Sequence, residues 1–198
     1  MATRIVFMGS PDFALPTLQA LNDHFNVVGV VTQPDRPSGR GQNIQPPEVK
    51  QLALRLNLPL IQPVTLKDSQ VFRQLETWQP DVIVVAAFGQ ILNQAVLDLP
   101  PYGCVNVHAS LLPRWRGAAP VQAAILQDDI TGVTIMKMDA GLDTGPILSQ
   151  REISIAPDTN AGKLTAELAR MGADLLTRTL PGYLAGEIQP RPQSEQDA

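Results

Sequence analysis

The 198-residue chain is 44% hydrophobic, carries a formal net charge of −4 and contains one cysteine and two histidines. This size and apolar content fit one globular domain with its own core, and no run of about 18 or more apolar residues predicts a membrane span. Cys104 is the single cysteine, and His24 and His108 are the two histidines. The composition therefore excludes an internal disulfide and a Cys/His zinc cluster. The acidic balance argues against holding nucleic acid by bulk electrostatics, so any such contact must be local. With no signal-peptide pattern at the amino terminus, we expect a cytoplasmic protein.

Apolar, β-rich runs alternate with helical patterns through the first half of the chain. The runs predicted as strands are 4–8, 27–32, 58–62, 82–88 and 104–107, and the helical patterns are 13–21, 48–56, 69–78 and 93–97. Strands that alternate with helices form parallel sheets through right-handed crossovers. The sequence therefore predicts an α/β, Rossmann-like fold with a mostly parallel sheet and helices on both faces.

The pattern changes after residue 107. Residues 132–138 and 146–155 have strand character with no long helix between them, which predicts an antiparallel extension of the sheet. Leucine and methionine side chains at helical spacing predict a last helix over 161–184. Residues 187–198 have almost no apolar side chains and are predicted to be a linker or tail after a domain of residues 1–186.

Ligands of open parallel sheets bind beyond the carboxyl ends of the strands. At the first such end, Gly9 is the only glycine of a dinucleotide-binding pattern, and no phosphate-binding loop motif is present, so nicotinamide and nucleoside triphosphate enzymes are disfavoured. Asn106 and His108 lie two residues apart at the end of a predicted strand, so their side chains point to the same side and can share one site. Asp143 lies in a loop bracketed by glycines, where a turn-forming role is the simpler interpretation for a lone aspartate.

The connection from residue 33 to residue 47 is unusually long and contains Arg36 and Arg40. Loops of this length without secondary structure are commonly functional. A solvated surface loop explains the two arginines equally well.

Two segments carry a highly specific resemblance. Residues 106–117, NVHASLLPRWRG, and residues 138–145, MDAGLDTG, resemble the folate-dependent formyltransferases. Residues 8–13, 32–41 and 115–122 resemble the branch of that family that acts on methionyl-tRNA. The resemblance covers residues 4–186.

The resemblance implies the formyltransferase fold and an enzyme that transfers a formyl group from 10-formyltetrahydrofolate to the α-amino group of initiator methionyl-tRNA, without a metal. It implies Asn106, His108 and Asp143 as the catalytic residues. It also implies a folate site with two parts: a loop of Ser110, Leu111, Leu112 and Pro113, and a pterin pocket of Phe88, Gly89, Ile91 and Leu92. Arg40, together with Arg36, would contact the acceptor end of the tRNA.

The expected reaction begins when a neutral amine attacks the formyl carbon, which places negative charge on the formyl oxygen. The amide of Asn106 and a protonated His108 would donate hydrogen bonds to that oxygen, each worth about 3 to 4 kcal/mol. Asp143, if it folds beside His108, would stabilise the imidazolium and orient a proton relay. No covalent nucleophile is needed.

Two alternatives stay open. One is a related enzyme with another acceptor, such as a sugar-nucleotide amine, a glycinamide ribonucleotide or water, although residues 33–47 and 115–122 argue against it. The other is a folate-binding module of low activity, since the family's β-rich tRNA-binding domain is expected to begin where this chain stops. The expected partners are the folate and methionyl-tRNA, with no membrane contact, and the chain is expected to be a monomer.

Overall fold

The computed structural model describes residues 2–38 and 43–194. The chain divides into two compact units, Met1–Cys104 and Val105–Ala198. Within the described residues, no helix has the length and apolar character needed to cross a lipid bilayer.

The first unit is built on a parallel sheet. Its elements are β1 (Arg4–Gly9), a 3-10 helix (Asp12–Ala14), α1 (Leu15–His24), β2 (Asn26–Val31), β3 (Arg36–Ser38), β4 (Asn43–Gln45), α2 (Glu48–Arg55), β5 (Leu60–Ile61), α3 (Ser69–Trp78), β6 (Val82–Ala86) and α4 (Gln94–Asp98). Strands β5, β2, β1 and β6 lie side by side in that order, and every neighbouring pair is parallel. The predicted parallel α/β core is confirmed.

The core of the first unit follows from its continuous apolar runs. Residues 5–8 of β1 and all of β6 are buried, as expected for strands that are covered on both faces. Gly29 of β2 allows Trp78 of α3 to pack directly on the sheet, because a Cβ at that position would overlap the indole ring. Helix α3 begins where the Asp68 side chain accepts a hydrogen bond from the backbone N–H of Gln70.

Two parts of the first unit differ from the prediction. Strand β6 ends at Ala86, earlier than predicted, because Ala87 adopts a left-handed conformation with φ of 45° that breaks the extended backbone. The long connection after β2 is not irregular: Arg36 pairs with Gln45, and Pro37 with Ile44, in the antiparallel hairpin β3–β4. Arg40 lies outside the described residues.

The second unit is built on antiparallel strands. Its elements are β7 (Cys104–His108), α5 (Pro120–Gln127), β8 (Ile130–Lys137), β9 (Ile147–Ser154) and α6 (Ala161–Leu184). Strand β8 pairs antiparallel with β7 on one side and with β9 on the other, so the predicted antiparallel extension is confirmed. Helix α6 has the predicted bounds, and Gly172 lets it approach Val107 of β7, where a Cβ would come within 2.5 Å of a valine methyl group. Helix α5 was absent from the sequence prediction.

The residues after α6 stay on the second unit. The backbone N–H of Ile188 donates to the carbonyl of Gly182 at 3.1 Å. Ile147 and Arg191 exchange two backbone hydrogen bonds of 2.7 and 2.8 Å as an isolated antiparallel bridge. Residues 187–194 are therefore held by specific contacts, although their composition is that of a linker. The domain boundary at residue 186 stays a prediction.

Candidate active site

Asn106 and His108 end strand β7 on the same side. Their side chains are buried, with residue exposures of 7% and 6%. The antiparallel register places Asn106 opposite Met136 and His108 opposite Thr134 of β8. Polar side chains at a buried strand end need polar partners, because an unpaired polar group away from water is costly. The partners come from two loops of the same unit.

Asp143 supplies one set of partners from the turn between β8 and β9. Its Oδ1 accepts a long hydrogen bond of 3.4 Å from the amide of Asn106, and its Oδ2 accepts one of 2.9 Å from the backbone N–H of Gly117. The same Oδ2 lies 3.7 Å from Nδ1 of His108. The structure thus brings together the three residues that the sequence predicts as catalytic.

The Asp143 turn has an unusual backbone. Asp143 is left-handed, with φ of 54°, a conformation that aspartate tolerates better than most residues. Asp139 accepts hydrogen bonds from the N–H of Gly141 and the hydroxyl of Thr144 within the same turn. A Cβ at Gly145 would overlap the carbonyl of Lys137, so the turn closes tightly onto β8. The turn-forming interpretation of Asp143 and its place beside His108 are both correct descriptions of its geometry.

The His108 ring lies between two acceptors. Its Nε2 is 3.0 Å from the carbonyl oxygen of Trp115. A carbonyl can only accept, so Nε2 carries the hydrogen in this arrangement. Nδ1 faces the Asp143 carboxylate at a distance longer than a hydrogen bond. Each ring nitrogen of His108 therefore lies within 4 Å of an oxygen atom.

The predicted folate loop follows β7 and consists of Ser110, Leu111, Leu112 and Pro113. Hydrogen bonds from side chains of β8 and β9 hold its backbone. The hydroxyl of Thr134 donates to the carbonyl of Ser110 at 2.7 Å and accepts from the backbone N–H of Leu112 at 3.0 Å. The amide of Gln150 donates to the carbonyl of Leu112 at 2.8 Å and to Thr134 Oγ1 at 3.0 Å. Sequence reasoning missed both residues. A signal for Thr134 was available, since it is a polar residue within the apolar part of a predicted strand.

The loop continues through a cluster of charged and aromatic side chains. Asp128 pairs with the guanidinium of Arg114 at 2.7 Å and accepts a hydrogen bond from the indole of Trp115. The Arg114 guanidinium also lies 5.0 Å from the centre of the Trp115 ring, a cation–π distance. Trp115, whose carbonyl faces His108, is left-handed with φ of 61°.

The four residues predicted for the pterin pocket belong to the first unit. Phe88 and Leu92 are buried, Gly89 is left-handed with φ of 77°, and Ile91 is 88% exposed. The carbonyl of Phe88 accepts hydrogen bonds from the Ser10 hydroxyl at 3.3 Å and the Gln33 amide at 3.1 Å. The backbone at Phe88 is therefore fixed, while Ile91 offers an apolar side chain to solvent.

Of the two arginines predicted to contact the acceptor, the structure describes one. Arg36 is exposed and donates to the Gln33 side chain at 2.9 Å, while Arg40 is not among the described residues. The base of the hairpin is anchored by Asp35, which accepts hydrogen bonds from Gln62 at 2.6 Å and from Lys50 at 2.6 Å. These two hydrogen bonds, that from Gln62 first, hold the pKa of the Asp35 carboxyl below its usual value. This anchor was not predicted from the sequence.

No group of three or more His, Cys, Asp or Glu side chains in residues 2–38 and 43–194 is arranged to hold a metal ion. The Cys104 thiol is buried and donates weakly to the carbonyl of Val96 at 3.6 Å.

Residues 3–180 match the family described as formyl transferase, and the chain belongs to that family. It is 55% identical over 194 residues to the methionyl-tRNA formyltransferase of Trichlorobacter lovleyi, an alignment that covers 97% of this chain and 61% of the relative. It is 55% identical over 197 residues to the methionyl-tRNA formyltransferase of Halorhodospira halophila, covering 98% of this chain and 63% of the relative. The chain thus spans about three fifths of the length of these curated relatives.

A solved structure shows the same fold. Glycinamide ribonucleotide transformylase 1 from Geobacillus kaustophilus is 26% identical, with a TM-score of 0.74, and the match covers 91% of this chain and 97% of that one. The formyltransferase fold and the family resemblance inferred from residues 106–117 and 138–145 are confirmed.

Proposed function

We propose that the chain transfers the formyl group of 10-formyltetrahydrofolate to the α-amino group of initiator methionyl-tRNA, producing formylmethionyl-tRNA for translation initiation. The observation that carries the proposal is the convergence of Asn106, His108 and Asp143 at one strand end, in a chain of the formyl transferase family. The 55% identity to relatives named methionyl-tRNA formyltransferase supports this acceptor over others.

The reaction requires positioning and charge stabilisation more than deprotonation. The α-amino group has a reference pKa of about 7.7 to 8.0, so much of it is neutral near physiological pH. Its nitrogen forms a bond to the formyl carbon, the bond from that carbon to N10 of the folate breaks, and one proton passes from the amine to N10. Effective placement of the two reactants supplies a large part of the rate enhancement.

Asn106 and His108 are the donors for the charge that develops on the formyl oxygen. The only described partner of the Asn106 amide donor is Asp143 at 3.4 Å, a weak bond that leaves amide hydrogen-bonding capacity for the substrate. When 10-formyltetrahydrofolate binds, the Nε2–H of His108 leaves the carbonyl of Trp115 and donates to the formyl oxygen instead. The carboxylate of Asp143 stabilises the imidazolium and orients it for proton transfer.

The folate is held by the two parts of the predicted site. Ser110, Leu111, Leu112 and Pro113 form a loop whose backbone is already fixed by Thr134 and Gln150. Phe88, Gly89, Ile91 and Leu92 offer the apolar surface for the pterin. Covering the exposed Ile91 side chain with a ligand ring removes apolar area from water, which favours binding.

The acceptor is contacted by the β3–β4 hairpin and its arginines, Arg40 and Arg36. The Asp35 anchor gives this hairpin a fixed base. A catalytic domain of residues 1–186, a cytoplasmic location and a monomeric state belong to the same proposal. A second acceptor is favoured by one observation only, the structural likeness to a glycinamide ribonucleotide transformylase.

The test is transfer of labelled formyl from 10-formyltetrahydrofolate to three acceptors: methionyl-tRNA, uncharged tRNA and glycinamide ribonucleotide. The 198-residue chain and a version extended to the length of its relatives are assayed side by side. Label on methionyl-tRNA alone supports the proposal. Label on glycinamide ribonucleotide alone, or release of formate with no acceptor labelled, would overturn the assignment of the acceptor.

A further inference from the structure

Gln193 joins three groups around the candidate active site. Its amide nitrogen donates to the backbone carbonyls of Asp143 and Gly145, both at 2.8 Å. Its amide oxygen accepts a hydrogen bond of 3.0 Å from Nε of Arg116. Gln193 thus uses both ends of its amide on the two loops that meet at the Asp143 carboxylate.

We propose that Gln193 is a positioning residue for Asp143, so that the segment after α6 takes part in building the catalytic site. This inference rests on the proposed function, because it assigns Gln193 a role in formyl transfer. Gln193 lies too far along the chain from the site to be suspected from sequence, in a segment whose composition is typical of a linker.

The backbone of the Asp143 turn explains why a distant amide matters. The left-handed φ of Asp143 and the tight closure at Gly145 leave the carbonyls of residues 143 and 145 both available to one donor group. A glutamine amide carries two N–H donors, so a single side chain satisfies both carbonyls. The direction of the Asp143 side chain follows from this backbone conformation, and with it the 2.9 Å contact to the N–H of Gly117.

The second end of the Gln193 amide fixes the opposite loop. Arg116 precedes Gly117, whose N–H is the nearest described partner of the Asp143 carboxylate. Gln193 therefore holds both sides of the contact between Asp143 and Gly117. The bridge between Ile147 and Arg191 keeps Gln193 in place, because Arg191 lies only two residues before Gln193.

The experiment compares Gln193→Ala, Gln193→Glu and the matched control Gln189→Ala. Gln189 is exposed in the same segment, and its amide donates only locally, to the carbonyl of Gly186. Glutamate keeps the length of Gln193 and an oxygen for Arg116, but it loses both donors to the carbonyls. Alanine and glutamate should therefore be equally harmful if the two donors are what matters.

For both Gln193 variants we expect kcat for formyl transfer to fall roughly tenfold to a hundredfold, the effect of a small displacement of a catalytic group. The KM values for folate and acceptor should stay within about twofold, since the effect is on the Asp143 geometry realised in the transition state and not on binding. Gln189→Ala should keep the wild-type kcat. Because Gln193 acts through Asp143, adding Gln193→Ala to Asp143→Ala should cause no further loss.

A measurement independent of activity uses the backbone amide resonance of Gly117 in the NMR spectrum. Its hydrogen bond to the carboxylate should give it a downfield shift in the wild type, and this shift should be lost in Gln193→Ala but kept in Gln189→Ala. An unchanged kcat, or an unmoved Gly117 resonance in a folded Gln193→Ala protein, would overturn the proposal. If the wild type transfers no formyl group to any acceptor, the proposed function fails, and the Gly117 resonance still decides whether Gln193 positions Asp143.

Discussion

Oδ2 of Asp143 accepts a 2.9 Å hydrogen bond from the backbone N–H of Gly117. This contact ties the turn between β8 and β9 to the loop that follows β7, and it leaves the carboxylate facing the imidazole of His108. A backbone N–H cannot titrate or change rotamer, so it holds the carboxylate in one orientation. The orientation of Asp143 relative to His108 is therefore set by backbone geometry.

The carboxylate charge can be tested apart from its geometry with Asp143→Asn. Asparagine has the same shape and keeps an oxygen for the Gly117 N–H, but it cannot stabilise an imidazolium. We expect formyl transfer to fall by about 10²- to 10⁴-fold, as when general acid–base catalysis is lost, with His108→Ala in the same range. Single-turnover rates on folded protein measure the effect. Near wild-type turnover in Asp143→Asn would show that the charge has no role.

The fold was largely predictable because its strong elements are marked by local patterns. The apolar runs of β1 and β6 predict strands, and the spacing of leucines over 161–184 predicts α6 with its correct bounds. The hairpin β3–β4 was missed because its strands are only three residues long and rich in polar residues and proline. Helix α5 was missed because its eight residues lie directly after an irregular, glycine-containing loop.

The site was predictable only in its specific sequence motifs. Asn106, His108 and Asp143 were found by their resemblance to a family, and the structure brings them together. Gln193 and Gln150 are not predicted from the sequence, because hydrogen bonds between residues far apart in the chain leave no periodic pattern. Asp143 shows the limit clearly: from spacing alone it was a turn residue, and only folding reveals that the same turn directs its carboxylate to His108.

Two threonines on β8 give a matched test of whether the Thr134 hydroxyl stabilises the predicted folate loop. Thr134→Val removes a hydroxyl that satisfies the buried backbone at Ser110 and Leu112, and it should lower the free energy of unfolding by about 1 to 3 kcal/mol and weaken folate binding. The buried hydroxyl of Thr131 has no hydrogen-bond partner among the described residues. Thr131→Val should therefore leave stability unchanged or raise it. Urea unfolding of both variants gives the comparison, and equal losses would contradict it.

The Asp35 anchor should appear in the pH dependence of stability. Its pKa is lowered from the ordinary value of 3.8 by hydrogen bonds from Gln62 and Lys50. A group with a depressed folded pKa contributes stability that is present above its unfolded pKa and is lost as the pH falls through the folded pKa. Asp35→Asn should therefore be less stable than the wild type near neutral pH, with the difference shrinking as the solution is acidified. A stability difference that grows with acidification would contradict the lowered pKa of Asp35.

Folate binding can be tested without catalysis by thermal unfolding. A ligand that binds only the folded state stabilises it by mass action, by about 2.7 kcal/mol at a hundred times its Kd. Tetrahydrofolate should therefore raise the Tm, whereas NAD should not, because residues 8–13 lack the dinucleotide-binding glycine pattern. A shift with NAD and none with folates would reverse the choice of co-substrate.

The separation of donor and acceptor sites can be tested with Arg40→Ala. Arg40 lies in the segment joining β3 to β4, which we propose contacts the acceptor end of methionyl-tRNA. The residues that we propose for folate are others: Phe88, Gly89, Ile91, Leu92, Ser110, Leu111, Leu112 and Pro113. Loss of one charge–phosphate contact should raise the KM for methionyl-tRNA and flatten its dependence on salt, because each such contact adds a salt-sensitive increment to affinity. The Tm shift with tetrahydrofolate should be unchanged.

The control variant is Arg55→Ala, which removes an exposed arginine at the end of α2, outside the proposed acceptor segment. It should alter neither the KM for methionyl-tRNA nor the Tm shift with tetrahydrofolate. If Arg40→Ala lowers folate binding as much as it raises the KM for tRNA, the acceptor role of the hairpin is wrong.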